Sequence, residues 1–177
     1  MNYAAIKKTD VANGPGVRVS LFVSGCTHHC KGCFNEEAWD FSYGKPFDQH
    51  AVKEIMEALE PDYIRGFSLL GGEPFEPENQ AVLVGVLRYV REHYPQKTIW
   101  CYSGYLFDED MLKGRLGDPS ITMEMLGYLD VLVDGEFVLS EKDLNLRFKG
   151  SRNQRIIDVP RSLKEKRIIL WDGAEFA

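Results

Sequence analysis

The chain reads Val17-Arg-Val-Ser-Leu-Phe-Val-Ser-Gly-Cys26-Thr-His-His-Cys30-Lys-Gly-Cys33 close to its amino end. The first seven of these residues are rich in β-branched and aromatic side chains. They are bounded by Asn13-Gly-Pro-Gly16 and by Ser24-Gly25, which predicts a buried strand. Three cysteines, spaced C-x3-C-x2-C, therefore lie in a loop at one strand end. We expect the rest of the chain to be organised around this loop.

The cysteine spacing indicates a metal centre. Three thiolates within eight residues can bind one centre and leave one position for a ligand that is not cysteine. In a 4Fe-4S cluster, one iron would be open to an exogenous ligand. Zinc is the alternative, because His28 or His29 could complete a Cys3His tetrahedron. The sequence has no second Cys-x2-Cys or Cys-x2-His pair, so donor number and softness favour iron but leave zinc open.

Composition limits the class of protein. The chain has 177 residues, 44% hydrophobic and 27% charged, which predicts a single domain over residues 1–177. A net charge of -6 argues against a nucleic-acid partner. Residues 1–10 lack the apolar segment of a secretion signal, and no run approaches about 18 apolar residues. We therefore expect a cytoplasmic protein without a membrane partner, whose clustered thiols stay reduced and serve as ligands rather than as disulfides.

Helices and strands alternate along the remaining sequence. Apolar residues at helical spacing predict helices at 48–59 and 76–94, and shorter ones at 108–116 and 122–129. Strands are predicted at 64–70, 97–102, 131–133 and 155–159, followed by a helical turn at 160–166 and a short strand at 168–171. The basic residues between 142 and 155 are interpreted as a solvent-exposed loop. No internal repeat or low-complexity tract is present.

This alternation predicts the fold class. Strands that alternate with helices are typically parallel, and functional groups gather on the loops at their carboxyl ends. A closed eightfold barrel needs at least about 200 residues, so the chain is too short for one. We expect an α/β protein with an incomplete, laterally open (βα) barrel of mostly parallel strands. Its open side would be covered by a large partner.

A second motif, Gly71-Gly72-Glu73-Pro74, follows the predicted strand at 64–70. Two residues without Cβ allow the backbone to approach a ligand closely, and Pro74 fixes the exit of the turn. This turn would offer carbonyl oxygens and a carboxylate to the ammonium group of an amino acid bound at an open iron. A side chain at Gly72 is expected to weaken binding of that ligand without loss of iron. Cys101 lies inside a predicted strand and is interpreted as a buried apolar residue.

Together the two motifs resemble the radical S-adenosylmethionine (SAM) superfamily, whose mark is C-x3-C-x2-C followed by a Gly-Gly-Glu-Pro type strand end. The chain is more closely similar to the activating proteins of anaerobic ribonucleoside-triphosphate reductases. That closer similarity is carried by segments spread over most of the sequence: Asn13-Gly-Pro-Gly16, Leu21-Phe-Val-Ser-Gly-Cys26, Trp100 with Ser103-Gly-Tyr105, Val131-Leu-Val-Asp-Gly135 with Phe137, and Arg147-Phe-Lys-Gly-Ser151 with Asn153-Gln154.

The resemblance implies roles for individual residues. Cys26, Cys30 and Cys33 would ligate three irons of a 4Fe-4S cluster, and SAM would chelate the fourth through its amino and carboxylate groups. The remaining implied SAM contacts are Gly32, Cys33, Phe34, Gly71, Gly72, Glu73 and Pro74, with Asp134 and Glu136 as weaker candidates. Many superfamily members have an aromatic residue before the third cysteine; here that position is Gly32, which cannot stack on adenine. Beyond the cluster and SAM themselves, the resemblance implies no catalytic side chain.

The resemblance also implies the reaction. An electron from the reduced cluster would cleave SAM to a 5′-deoxyadenosyl radical, which would abstract hydrogen from a glycine of the large reductase subunit. An electron donor such as flavodoxin or ferredoxin would be the other partner. Three alternatives remain: activation of a formate-lyase type glycyl radical enzyme, a small-molecule radical SAM enzyme of deazapurine biosynthesis, and a Cys3His zinc scaffold without activity.

Overall fold

A computed structural model describes residues 1–173, and its centre is one open, mixed β-sheet. Seven strands build this sheet: β1 (Asn2–Asp10), β2 (Val17–Val23), β3 (Lys45–Pro46), β4 (Ile64–Gly71), β5 (Thr98–Tyr102), β6 (Val131–Asp134) and β7 (Arg155–Asp158). Their spatial order is β3-β1-β2-β4-β5-β6-β7. The strand that precedes the cysteines is therefore near the middle of the sheet.

The predicted incomplete barrel of mostly parallel strands is wrong. Three neighbouring pairs are parallel, β2 with β4, β4 with β5, and β5 with β6. The other three are antiparallel, β1 with β2, β1 with β3, and β6 with β7. Helical crossovers therefore join only the four central strands, and β3 and β7 end the sheet as separate edges. The architecture is a mixed sheet that does not close.

Strand β1 is absent from the sequence prediction. Its sequence, Asn-Tyr-Ala-Ala-Ile-Lys-Lys-Thr-Asp, lacks regular alternation of apolar and polar residues, and its side chains are mostly half-buried or exposed. Long-range pairing with β2 stabilises it instead, with Ile6 opposite Leu21 and Lys7 opposite Ser20. At the other end of the chain, the predicted strand at 168–171 is reduced to a single bridge between Leu170 and Ile157.

Helices cover one face of the sheet. They are α1 (Gln49–Leu59), α2 (Pro77–His93), α3 (Pro119–Tyr128) and α4 (Val159–Glu165), with 3-10 turns at Glu36–Trp39 and Leu139–Glu141 and a π turn at Phe107–Met111. Helix α1 begins where the Asp48 carboxylate accepts hydrogen bonds from the backbone N–H groups of His50 and Ala51, which are left without helical partners at a helix start. Within residues 1–173, no helix is long and apolar enough to cross a membrane.

The helix-covered face forms the main core. Alternate residues of the central strands point to it, and Leu21, Leu69, Cys101 and Leu132 are all fully buried there. Because successive side chains of a strand point to opposite faces, their neighbours along each strand belong to the other side. This core fixes the four parallel strands, whose carboxyl ends carry the two sequence motifs.

Among residues 1–173, no helix lies on the opposite face, and its composition is different. Trp100, Val131 and Val133 form a small cluster there, and the Trp100 ring packs edge-on against Phe148 and Trp171 at 5.4 and 5.0 Å. Arg18 is also fully buried on this face. Its guanidinium donates hydrogen bonds to Ser68 and Thr98 and to backbone carbonyls of β4 and β5. Loops rather than helices therefore cover this helix-free face.

Candidate functional site

The cysteine loop begins directly after β2 and is fastened to the rest of the chain by its backbone. The N–H of Gly25 donates to the carbonyl of Ala38 at 2.8 Å, and the N–H of Cys26 donates to that of Trp39 at 3.1 Å. A tight turn follows, in which the N–H of Cys33 bonds the carbonyl of Cys30 at 3.1 Å. The N–H of Asn35 points at the Cys33 sulfur at 3.4 Å, the kind of bond that stabilises a thiolate.

All three thiols are free and line one cavity of about 440 Å³. This volume lies in the ordinary range of cofactor and substrate sites. Burial raises the pKa of the Cys26 thiol to about 12 and also raises the pKa of Cys30, so ligation would have to displace their protons. Within residues 1–173, no three His, Cys, Asp or Glu side chains are close enough to hold a metal together. The thiols share a cavity but are not preassembled as a ligand set.

His28, between the first two cysteines, is held by two carboxylates. Its Nε2 lies 3.1 Å from an oxygen of Glu73, and its Nδ1 lies 2.9 Å from an oxygen of Glu136. Burial alone would lower the pKa of His28, but hydrogen bonds and charge from Glu73 and Glu136 raise it to about 9. With both ring nitrogens engaged, His28 links the cysteine loop to the ends of β4 and β6. His29 instead stacks on Trp39, with ring centroids 4.6 Å apart.

Glu73 is fully buried, and the protein itself supplies its hydrogen-bond donors. One carboxylate oxygen accepts from the N–H of Phe75 and the hydroxyl of Ser103, both at 2.8 Å. The other accepts from the N–H of Gly104 at 2.7 Å and contacts His28. Four partners at these distances occupy the usual acceptor positions of a carboxylate. Glu73 lines the cavity, but its main contacts are within the chain rather than positions left open for an ammonium group.

The two glycines of the turn allow close approach of the chain to itself. A Cβ on Gly72 would lie 2.5 Å from the carbonyl oxygen of Gly25 and 2.8 Å from that of Ala38. Gly71 has a φ of 115°, and a Cβ there would lie 2.4 Å from the nitrogen of Val23. Both residues line the cavity, yet the space that a Cβ would take is occupied by backbone of β2 at Gly71, and by backbone of Gly25 and Ala38 at Gly72. A Cβ at Gly72 would therefore press on the segment that leads into Cys26 rather than enter ligand space alone, and retention of iron in a Gly72 variant stays a prediction to be tested.

Most of the predicted site residues come together at the cavity, but Pro74, Asp134 and Glu136 are not among its lining residues. Gly32, Phe34 and Glu73 line the cavity with the cysteines and the glycine pair, whereas Pro74 is buried outside the lining. Asp134 is fully buried and accepts hydrogen bonds from the N–H of Phe107 and from the Arg155 guanidinium. Its carboxylate is thus committed to an ion pair away from the cavity.

Sequence reasoning missed the loop that follows β6. The basic residues between 142 and 155 were interpreted as a solvent-exposed loop, but Lys142, Leu144, Leu146 and Phe148 line the cavity. Tyr102, at the end of β5, also lines it. Three apolar residues, Leu144, Leu146 and Phe148, alternate with the basic ones in this segment. A fully solvated loop does not require them, so they could have indicated that the loop packs against the protein. Glu76 was missed as well; it accepts hydrogen bonds from the N–H and hydroxyl of Thr27 at 2.8 and 2.6 Å.

The residues present fit an iron-sulfur cluster better than zinc. Three soft sulfur donors reach one cavity, and a cluster tolerates a fourth, non-protein ligand. A Cys3His zinc site would need a free histidine nitrogen at the cavity, but both nitrogens of His28 face carboxylates and His29 does not line the cavity. Beside the thiols, the cavity extends over the helix-free face, which leaves room for an organic ligand.

Comparison with known proteins agrees with this assignment. The family model described as a 4Fe-4S single cluster domain matches residues 12–157. The chain is 40% identical to the anaerobic ribonucleoside-triphosphate reductase-activating protein of Pasteurella multocida, over 88% of this chain and 96% of that protein. It is 40% identical to the protein of that name from Enterobacteria phage T4, over 88% and 93% of the two chains. The Escherichia coli K12 protein of that name is 38% identical, over 87% and 96%.

Proposed function

The chain belongs to the anaerobic ribonucleoside-triphosphate reductase-activating proteins, a family with a 4Fe-4S single cluster domain, and from this we propose that it activates such a reductase. The observation that carries the proposal is the meeting of Cys26, Cys30 and Cys33 with the Gly71-Gly72-Glu73 turn at one cavity. The two motifs are separated along the sequence, and the parallel pairing of β2 with β4 places their strands side by side.

We assign Cys26, Cys30 and Cys33 as ligands of a 4Fe-4S cluster and SAM as the ligand of its fourth iron. The SAM contacts would come from Gly32, Cys33, Phe34, Gly71, Gly72 and Glu73, which line the cavity. When bound, this pair would supply one-electron cleavage of the S–C5′ bond of SAM, which would release methionine and a 5′-deoxyadenosyl radical able to take a hydrogen atom from a glycine of the reductase. An Asp134 contact has less support, because that carboxylate is paired with Arg155.

The chain's own residues would keep the site rigid and dry. Glu73 and Glu76 anchor His28 and Thr27, so two carboxylates three residues apart, in the turn before α2, hold the loop between the first two cysteines. Side chains fixed by such hydrogen bonds need little rearrangement when ligands bind. Trp39 and Phe137 add apolar surface to the lining, which reduces access of water to a reactive radical.

The remaining assignments follow from the same proposal. The partners are the large glycyl radical subunit of the reductase and an electron donor such as flavodoxin or ferredoxin. All three ligands lie within one domain, and a reducing compartment such as the cytoplasm would keep them available as thiols.

Electron paramagnetic resonance (EPR) tests this proposal. Anaerobically reconstituted protein is reduced and mixed with SAM and the reductase, and a glycyl radical doublet is expected together with 5′-deoxyadenosine. The doublet should collapse to a singlet when the reductase carries glycine deuterated at Cα. A reductase variant with alanine at the radical-bearing glycine should give no doublet. Turnover of a small purine-like substrate in the absence of any reductase would contradict the proposal and favour the deazapurine alternative.

A further inference from the structure

Residues 135–138, which we call the β6 turn, follow β6 and lie against the cysteine loop. Burial raises the pKa of the Cys30 thiol, whereas the backbone N–H of Phe137, directed at the sulfur as a hydrogen-bond donor, lowers it. Cys30 and Phe137 both line the cavity. Just beyond the turn, Cδ1 of Leu139 would lie 3.0 Å from a Cβ on Gly32. A segment distant in the sequence therefore brings a hydrogen-bond donor to one cysteine of the proposed ligand set.

Side chains hold the β6 turn at both its carbonyls and its acidic residue. Nε2 of Gln154 donates to the carbonyl of Gly135, and Nδ2 of Asn153 donates to that of Glu136, both at 2.9 Å. The Glu136 carboxylate lies 2.9 Å from Nδ1 of His28. Because His28 belongs to the cysteine loop, the contact between Glu136 and His28 links that loop to the residue that precedes Phe137.

The environment of Glu136 suits a role within the chain rather than contact with a ligand. Glu136 is not among the residues that line the cavity. Its side chain is 56% exposed, whereas that of His28 is 9% exposed. Glu73 lies 3.1 Å from the other ring nitrogen of His28, so the imidazole is held in place and offers Glu136 a fixed partner. An exposed carboxylate adds little stability as an ion-pair partner, but it can determine where the turn lies.

We propose that Glu136 is a positioning residue that, by binding His28, keeps the Phe137 N–H on the Cys30 sulfur and so raises the reduction potential of a cluster ligated there. The inference rests on the proposed function and identifies residues that would tune acceptance of the electron. Hydrogen bonds to the sulfurs of an iron-sulfur cluster help to set its potential. The charge of Glu136 acts in the opposite direction, because a nearby negative charge disfavours an added electron. The experiment must therefore separate position from charge.

Two neutral substitutions make this separation. Glu136→Gln removes the charge but keeps an oxygen that can accept a hydrogen bond from His28, whereas Glu136→Leu removes both. The reconstituted proteins are titrated anaerobically without SAM, and the reduced cluster is measured by EPR. The potential of the Gln variant should lie above that of the wild type, because only the charge is lost. Glu141→Leu is the control, since it removes a carboxylate from the 3-10 turn Leu139–Glu141 and leaves both carboxylate partners of His28 in place.

The Leu variant should have a lower potential than the Gln variant. Loss of one hydrogen bond should make reduction about twofold to tenfold less favourable, and a tenfold change is about 59 mV for one electron. Hydrogen exchange of the same proteins, with the cluster oxidised, measures the position of the turn directly. The Phe137 amide should exchange faster in Glu136→Leu than in Glu136→Gln, because the turn loses its link to the cysteine loop.

Each other outcome overturns the inference. Equal potentials in the Gln and Leu variants, or equal exchange at Phe137, would show that Glu136 does not hold the donor in place. Loss of iron from the Leu variant alone would assign Glu136 to cluster binding rather than to the potential. Loss of SAM affinity in the Gln variant would make Glu136 a SAM contact. Failure of the proposed function is distinct, because then the wild-type protein would take up no cluster or would form no glycyl radical on the reductase.

Discussion

The two faces of the sheet differ in how their side chains are packed and in how many polar atoms they bury. On the helix-covered face, Leu21, Leu69 and Cys101 pack with α1, α2 and α3 in a continuous apolar core. On the helix-free face, Arg18 and Tyr102 bring polar atoms into the interior, and loops cover them. Burial of apolar area stabilises the first face, whereas hydrogen bonds and loop contacts organise the second. The same strands therefore contribute to stability through their helix-covered face and to ligand binding through their helix-free face.

The largest expected effect is on iron binding, and it distinguishes a cysteine of the proposed ligand set from a cysteine of the core. Cys30→Ala should abolish binding of iron, because a 4Fe-4S cluster loses one of only three thiolate ligands. Cys101→Ala should retain wild-type iron, because that thiol is fully buried in the helix-covered core. Iron and sulfide are measured after anaerobic reconstitution of both variants. Equal loss of iron in both would show that the ligands are assigned wrongly.

Leu69 and Leu70 are adjacent on β4 and point to opposite faces, so substituting each of them compares the contributions of the two faces to stability. Leu69→Ala should lower the free energy of unfolding by about 2 to 5 kcal/mol, because it creates a cavity in a close-packed core. Leu70→Ala should cost less, since Leu70 already borders the ligand cavity and part of the lost volume was never packed. Urea unfolding of the metal-free proteins measures both values. A larger loss at Leu70 would contradict the division between the faces.

Gly72 lies where the β4 end meets the cysteine loop. Gly72→Ala places a Cβ against two backbone oxygens, and overpacking of this kind costs about 1 to 3 kcal/mol. Because one of those oxygens belongs to Gly25, immediately before Cys26, iron occupancy and SAM affinity should fall together. Gly85→Ala is the control, since no atom lies within 4 Å of a Cβ there. Retention of full iron with loss of SAM affinity alone would restore the earlier expectation for Gly72.

Substitution of Arg18 tests how much its hydrogen bonds stabilise the helix-free face. Arg18→Met should destabilise the protein by about 1 to 2 kcal/mol, because it removes hydrogen bonds to Ser68 and Thr98 while relieving the unfavourable burial of a charge. That burial lowers the pKa of the guanidinium to about 10, so the charge persists at neutral pH. Urea unfolding provides the value. A gain in stability would show that apolar packing could replace these hydrogen bonds.

The helix-covered face was largely predictable from sequence. Helical spacing of Val52, Ile55 and Leu59 identified α1, and Pro77 marked the start of α2. These features depend on neighbours within a few residues. The cysteine loop was equally visible, because three thiols at fixed spacing have few interpretations.

The helix-free face was not predictable to the same extent. Strand β1 depends on pairing with β2 rather than on its own alternation, and its two antiparallel pairings, together with that of β6 and β7, make the sheet mixed. Two partners of Glu73, His28 and Ser103, come from loops that are 45 and 30 residues away along the chain. Contacts of this kind depend on long-range geometry, so motif spacing identified the residue but not what it binds.

The most direct test of the central claim is Mössbauer spectroscopy of protein reconstituted anaerobically with ⁵⁷Fe, before and after addition of SAM. Three thiolates from Cys26, Cys30 and Cys33 leave one iron of four without a protein thiolate. One quarter of the iron signal should therefore change on addition of SAM, and the other three quarters should not. An unchanged spectrum, or a protein that retains zinc and takes up no iron, would contradict the account.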